Sequence, residues 1–339
     1  MKINIKILQL LLFSALLVSV SSSQIKKKAQ VGFRFLENPV SAEVMGKGGI
    51  GVVGLSNSNA VFWNPALLGQ IDNPVDISFN HTRSIADMNY NAGAAAFKLG
   101  DFGIIALSLM AMDYGDFYGT VRAANDQGYT ETGTFSPSAY AAGIAFSQQI
   151  TDRFSYGVHI KYARQDLGEA YISTGTSFED STFSLSTVEY DKGIIAMDVG
   201  AYYDFLFKGI TFGASLQNIS PEVKYELHEF PLPFSVSFGA TIEPLQIFMQ
   251  EVVDHKIVIS IESKHPRDFG EKVKFGAEYS FLDMLAARVG YQSNYDERDL
   301  TAGVGFRKDI SGHPIRIDYA FERFGLFGDR HFISVGIGY

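Results

Sequence analysis

The 339-residue chain has no cysteine, one tryptophan and comparatively few basic residues, 28 Lys and Arg against 37 Asp and Glu. Without cysteine there is no disulfide framework and no thiol for a lipid anchor, so stability has to come from burial and hydrogen bonding. The acidic balance argues against a nucleic-acid partner. Beyond residue 23 there is no apolar run long enough to cross a bilayer as a helix. Seven histidines occur, none at close metal-ligand spacing; His159 falls on the polar face of its strand, and His255 and His331 sit at strand ends. A G-x-S-x-G or similar nucleophile motif is missing, and no Ser-His-acid cluster can be built from the sequence. No catalytic residue, cofactor site or metal site is therefore assigned, and a non-enzymatic protein is expected.

Residues 1–23, MKINIKILQLLLFSALLVSVSSS, stand apart from the rest. Lys2 and Lys6 form a basic start, an apolar run extends from Ile7 to Val20, and Ser21 to Ser23 close it. This is the layout of a secretory signal peptide, and the run is short for a membrane anchor. Its removal takes two lysines with it and leaves a mature charge of about −11.

What the chain does have is 28 Phe, 17 Tyr and 33 Gly, arranged with a period of two. From Ile315, IRIDYAFE places Ile315, Ile317, Tyr319 and Phe321 on one face and Arg316, Asp318, Ala320 and Glu322 on the other. From Phe234, FSVSFGATIE does the same, and VKFGAEYSF, LAARVGYQSN, LTAGVGFR, KIVISIESK and YGVHIKY follow the rule. A helical period scatters these residues over both faces, so the segments are strands. Fourteen are expected: 75–83, 88–98, 103–113, 138–148, 154–165, 193–204, 209–218, 234–243, 255–264, 272–281, 284–294, 299–308, 314–323 and 331–339. Most match the length a tilted strand needs to cross a bilayer. Short turns alternate with longer polar connections at 114–137, 166–192, 219–233, 265–271, 295–298 and 324–330. The 244–254 connection is long for a turn and reads as a small helix. Of the ten prolines, nine fall outside these strands and Pro314 sits at a strand start.

The pattern predicts an all-β fold, a transmembrane antiparallel β-barrel of about fourteen strands spanning 75–339, with apolar faces toward lipid and polar groups in the lumen. A one-residue slip in the Ile315 strand would turn Arg316 into lipid at about 2–4 kcal/mol, so register is well specified. The expected lumen charges are Lys161, Asp198, Asp204, Glu243, Glu262, Lys274, Glu278, Arg288, Arg307, Arg316, Asp318 and Glu322, read as a network bracing the wall in preference to a solute path. The final strand, HFISVGIGY, carries Ile333, Val335, Ile337 and Tyr339 on one face and reads as a signal to the outer-membrane assembly machinery. An outer-membrane location in a Gram-negative bacterium follows, with outer-membrane lipid as a partner.

Residues 24–74 precede the first strand, lack strand alternation and contain SNSNAVFWNPALLGQ, with the lone tryptophan. They are expected to form a hatch that plugs the lumen, with Phe62 and Trp63 as apolar anchors and Asn64, Pro65 and Ala66 setting a bend into one short turn. GKGGIGVVG from Gly46 matches G-x-G-x-x-G twice, but no amphipathic helix or parallel unit follows, so the glycines read as tight backbone packing. The TSFEDSTFSLS stretch from Thr176 reads as an external loop.

FRFLENPVSAEVMGKGGIGVVG followed by NAVFWNPALLG resembles the N-terminal signature of the PorV/PorQ family, outer-membrane barrels related in architecture to the FadL fatty-acid transporters. The likeness continues through YGDF at Tyr114, the TGTFSPSAYAAGIAFSQQITDRFSYGVHIKY run from Thr132, GASLQNISP from Gly213, LPFSVSFGAT from Leu232, KVKFGAEYSF from Lys272 and RVGYQSNYDERDLTAGVGFR from Arg288. That resemblance implies a fourteen-stranded barrel with an N-terminal hatch. It also implies, by analogy, an accessory or shuttle component of type IX protein secretion that binds the secretion translocon and secreted cargo proteins. The alternative is a FadL-like channel for hydrophobic small molecules across the outer membrane.

Overall fold

A backbone that crosses lipid must satisfy every N–H and C=O internally, and antiparallel strands do so only when their sheet closes. The computed structural model describes residues 30–122, 125–173, 185–225, 227–248 and 254–339, and it shows such a closed sheet. Fourteen antiparallel strands run in chain order: β1 Val75–Arg83, β2 Asn89–Lys98, β3 Ile104–Asp113, β4 Ser138–Gln149, β5 Phe154–Ser173, β6 Leu185–Asp204 and β7 Thr211–Ile219. They continue with β8 Ser235–Ile242, β9 His255–Pro266, β10 Lys272–Phe281, β11 Leu285–Ser293, β12 Leu300–Ile310, β13 His313–Arg323 and β14 Asp329–Gly338. Each pairs with its chain neighbours, and β14 closes on β1 with Ile337 opposite Ile77 and Val335 opposite Phe79. The strand count and antiparallel order are those expected from the alternation alone.

The alternation becomes an inside and an outside. On β1, Ile77 and Phe79 are 47% and 53% exposed, while Asp76, Ser78, Asn80 and Thr82 between them are buried. Ile333, Val335 and Ile337 lie outward on β14, and Tyr339 exchanges backbone hydrogen bonds with Val75 and stacks on His313. Short turns gather at one end of the barrel. Between β10 and β11, Leu282 and Asp283 both take left-handed backbone angles, and Met284 N–H bonds the Phe281 carbonyl, closing a type I′ turn.

The other end is more built up than expected. Within 114–137, Phe117–Arg122 pairs with Tyr129–Phe135 as a separate hairpin. β5 and β6 are twenty residues each, about twice what spans a bilayer, and they pair on past Asp166 to Ser173 opposite Leu185. The strands expected at 154–165 and 193–204 are the membrane-depth parts of this ribbon. From Asp166 to Ala170 and from Thr187 to Tyr190 no side chain is buried, so nothing imposes an apolar face and the period-two signal fades. A four-residue helix, Leu245–Phe248, occupies the start of the 244–254 connection, as expected. Residues 249–253 of that connection, the expected export segment 1–23 and residues 176–184 of the expected external loop lie outside the described residues.

Residues 33–71 are packed against the inner faces of the strands. They form short turns and helices, Arg34–Glu37, Ala42–Gly46, Ser58–Phe62 and Pro65–Gln70, separated by extended stretches. The chain enters near the long connections, where Gly32 N–H bonds the Pro231 carbonyl, and leaves at the short-turn end, where Lys98 reaches the Ile71 carbonyl. Val44, Ile50, Val61, Leu67 and Leu68 pack against Ala94, Ala96, Ala106 and Ala145 of the wall. The alanines that weaken the strand signal of β2 are thus short because the inner segment needs the room.

Wall glycines bring the two backbones together. A Cβ at Gly157 would lie 2.4 Å from the Pro65 carbonyl carbon, and one at Gly290 would lie 2.0 Å from Gly48 N. Gly157→Val should therefore push Asn64–Ala66 off the wall at an overpacking cost of about 1–3 kcal/mol. A lowered melting temperature of the compact band in heat-modifiability gels is the expected result; an unchanged one would exclude the close approach.

Candidate functional site

The inner segment is held by side chains that satisfy its backbone. Asn64, extended before Pro65, caps the Pro65–Gln70 turn by accepting from Ala66 N–H at 3.1 Å. Its amide donates to the carbonyls of Val52 at 2.8 Å and Ala201 of β6 at 3.1 Å. The Ala66 carbonyl accepts from Ser155 at 2.9 Å and Ser147 at 3.2 Å. Gln217 donates to the carbonyls of Phe62 and Trp63. The Trp63 indole N–H donates to the Val40 carbonyl at 3.2 Å. These contacts come from β4, β5, β6 and β7, so one half of the wall grips the Phe62–Ala66 stretch.

The other half grips through charge. Glu262 accepts from Gly51 and Val52 N–H at 3.0 and 3.2 Å with one oxygen and from Lys274 at 2.7 Å with the other; Lys274 also donates to the Gly49 carbonyl at 2.6 Å. Asp76 accepts from Ser58 N–H at 2.8 Å and from Arg316 at 2.9 Å. Arg288 bridges Glu278 at 2.5 Å and Asp318 at 2.6 Å. Glu322 takes Gln292 at 2.8 Å and Arg330 at 3.1 Å. Lys161 pairs with Asp198 at 2.8 Å. Arg307 lies at the exposed short-turn end, where it lines a cleft of about 50 Å³ with Glu278, Arg288 and Asp318. Asp204 and Glu243 are half-buried at the same end. Among the described residues the charges of the wall thus form separate clamps and no single file through the lumen.

One arrangement escaped the sequence. Ser108 Oγ lies 2.8 Å from His159 Nε2, and His159 Nδ1 lies 2.9 Å from Asp198 Oδ2. The three residues are 51 and 39 positions apart, and the imidazole crosses β4 only because Gly143 has no side chain; a Cβ there would be 2.3 Å from Nε2. Asp198 is further held by Lys161 and by Asn218 N–H at 2.7 Å, where β7 bulges against β6. The spacing is that of a hydrolytic relay. Ser108, however, sits mid-strand between Ala94 and Gly143, and the ladders on both sides take the nearby amides that an oxyanion would need. The cluster ties four strands together. Among the described residues no three His, Asp or Glu side chains converge to hold a metal.

Above the inner segment, at the end with long connections, lies a cavity of about 310 Å³. Trp63, Met45 and Gly49 contribute from below, Lys272, Lys274 and Arg330 from strands, and Phe269, Tyr295, Arg298 and Phe324 from connections. Of the expected site residues only Trp63 and Lys274 belong to it. The others were missed; the signal that could have found Phe269, Lys272, Tyr295 and Arg298 is the grouping of cations and aromatics in the HPRDFGEKVK run from His265 and YDER from Tyr295. At its edge Lys264 pairs with Glu37 at 3.2 Å. Burial would raise the Glu37 carboxyl, but Lys264 and Arg34 outweigh it and hold it below the ordinary range. Burial pushes Asp268 the other way, only partly offset by Arg34.

No family model matches the sequence, and a search of curated proteins finds no match. Solved structures do match in fold. The toluene transporter TodX of Pseudomonas putida superposes with a TM-score of 0.57 at 12% identity, over 88% of this chain and 96% of that one. The toluene transporter TbuX of Ralstonia pickettii gives 0.55 at 13%, over 87% and 96%. A FadL homologue of Pseudomonas aeruginosa gives 0.54 at 12%, over 89% and 98%. The chain has the FadL-like outer-membrane barrel fold, and two of these neighbours are toluene transporters.

Two tests follow from the clamps. Glu262→Ala leaves Lys274 buried without its carboxylate and two inner-segment amides without an acceptor, and should cost about 3–5 kcal/mol in denaturant unfolding from lipid vesicles. A change below about 1 kcal/mol would show that the clamp is idle. For Glu37 the folded-state pKa is the lower one, so its contribution is complete above the ordinary glutamate range, about 4.3, and is lost as pH falls through the depressed folded value. Between about pH 5 and pH 3 the wild type should lose more stability than Glu37→Gln; parallel losses would remove the Lys264–Glu37 pair from the account.

Proposed function

We propose that the chain is a non-enzymatic outer-membrane barrel that admits a small organic solute, with residues 33–71 as its hatch. The observation that carries this is the cavity of about 310 Å³ resting on Trp63 inside a closed barrel, a volume at the lower end of small-molecule sites. The FadL-like fold and the toluene transport named for two of its neighbours support the same reading. A solute descends from the long-connection end, lodges against Trp63, Met45 and Gly49, and passes when the Gly49–Val52 stretch releases Glu262 and Lys274. Outward apolar faces meet outer-membrane lipid, and the β14 face of Ile333, Val335, Ile337 and Tyr339 is read by the assembly machinery.

The β5–β6 ribbon and the 117–135 hairpin, with Tyr118 84% exposed, favour a second reading. They project where a protein partner would dock, which suits an accessory of type IX secretion contacting the translocon and its cargo. Recovery of a very large barrel or of secreted proteins in pull-downs from native outer membranes would favour it over the channel.

For the channel, vesicles containing the purified barrel should take up at least one of a set of small radiolabelled organic solutes, neutral and acidic, faster than protein-free vesicles, and equal rates for all of them would exclude it. In planar bilayers, the Asn64→Ala, Pro65→Ala double variant should conduct more than the wild type. Unchanged conductance in a folded variant would remove the gating role of this stretch.

A further inference from the structure

The outer cavity carries its charge unevenly. Among the described residues its lining holds six cations, Arg34, Lys264, Lys272, Lys274, Arg298 and Arg330, and three carboxylates, Glu37, Asp296 and Glu297, with Glu262 and Glu322 buried behind it. Glu262 divides itself between Lys274 and two backbone amides, and Glu322 stands 3.1 Å from Arg330 and 3.8 Å from Arg298. Asp296 and Glu297 lie at the water-exposed rim, where their charge is hydrated. Arg330 is buried, and its Nε–H meets no acceptor among the described residues. A buried donor left unpaired costs free energy that an incoming acceptor would recover.

The same cations lie over rings. Lys272 and Arg298 stand 4.5 and 4.4 Å from the Tyr295 centroid, and Arg330 lies 5.4 Å from Phe324. Lys274 is 5.7 Å from Trp63. Carboxylate-accepting groups and apolar ring surface therefore alternate around one small volume. About 310 Å³ holds a single ring with a short acid arm; the inner segment closes the floor against a long chain.

We infer that this cavity selects a compact organic anion, one carboxylate on a short, preferably aromatic, body. The inference rests on the solute reading above and deepens it. The carboxylate meets Arg330, Arg298 and Lys272, and the body lies against Tyr295, Phe324 and Trp63.

Trp63 is the only tryptophan, so its emission reports this cavity alone. With the full barrel in lipid nanodiscs, 3-phenylpropionate should change Trp63 fluorescence saturably. Its half-saturation should lie at least about tenfold below those of 3-phenylpropanamide and dodecanoate, and inorganic phosphate should leave the signal unchanged. Raising NaCl from about 0.05 to 0.5 M should weaken binding several-fold. Arg298→Gln, on a connection with its side chain 28% exposed, should weaken it about tenfold while the compact gel band melts as in the wild type. Lys272→Gln is the second variant.

Equal affinity for the amide would overturn the inference and leave a channel for neutral solutes standing. Tighter dodecanoate binding would overturn it in favour of long chains, and an equal response to phosphate would show that the body is not read. Silence from every ligand would overturn both the inference and the cavity's part in transport. Selective binding without vesicle uptake would sink the channel and leave this site intact.

Discussion

Closure of β1 on β14 is the constraint on which everything else depends. Once the last strand completes the ladder, no backbone group on the wall is left to lipid, and the outward residues are free to be wholly apolar. Closure also fixes an interior too wide for wall side chains alone to fill. The answer in this chain is to fill it with its own residues 33–71. That choice sets the inward sequence of every strand: alanine and glycine where the inner backbone passes close, serine and asparagine where it needs partners, and charge where the two are clamped.

The charges deserve to be weighed as clamps because of what they touch. Glu262, Asp76 and Glu322 are almost fully buried, and two of them accept from inner-segment amides as well as from a cation. Ion pairs made for stability alone are weakly favourable at best when buried. Pairs that also satisfy backbone amides do a second job, since each oxygen replaces water that the segment lost on entering the barrel. The Ser108–His159–Asp198–Lys161 set works alike between strands. Its resemblance to a catalytic relay shows how little hydrogen-bond geometry alone says about reaction chemistry when the surrounding amides are already engaged.

The wall was legible because two physical demands reinforce each other there. Ile315 to Glu322 must alternate for lipid and must keep Arg316 and Asp318 inward, so a single sequence satisfies both and the register is plain. Legibility ended where one demand dropped out. Above the bilayer, Glu169 to Ser173 and Leu185 to Glu189 pair as strands without an apolar face to announce them. Arg330 and Tyr295 were missed for a different reason: they lie 35 residues apart in the chain and meet only because β11 to β14 bring their ends together. Asn64 and Pro65 were readable as a bend, since a cap before proline is a local matter. The grip of the Asn64 amide on Ala201 and Val52 is not local and had no signature.

The direction of the inner segment has a consequence for assembly. It enters beside Pro231 at one end, bonds strands on opposite sides of the lumen, and exits beside Lys98 at the other, immediately before β1 begins. A strip fastened to both halves of a cylinder is poorly placed for late insertion through a finished rim. At the β1–β14 seam, Asp76 holds both Ser58 of that strip and Arg316 of the neighbouring wall. The seam residue that completes the wall is thus also the latch that seals its contents inside.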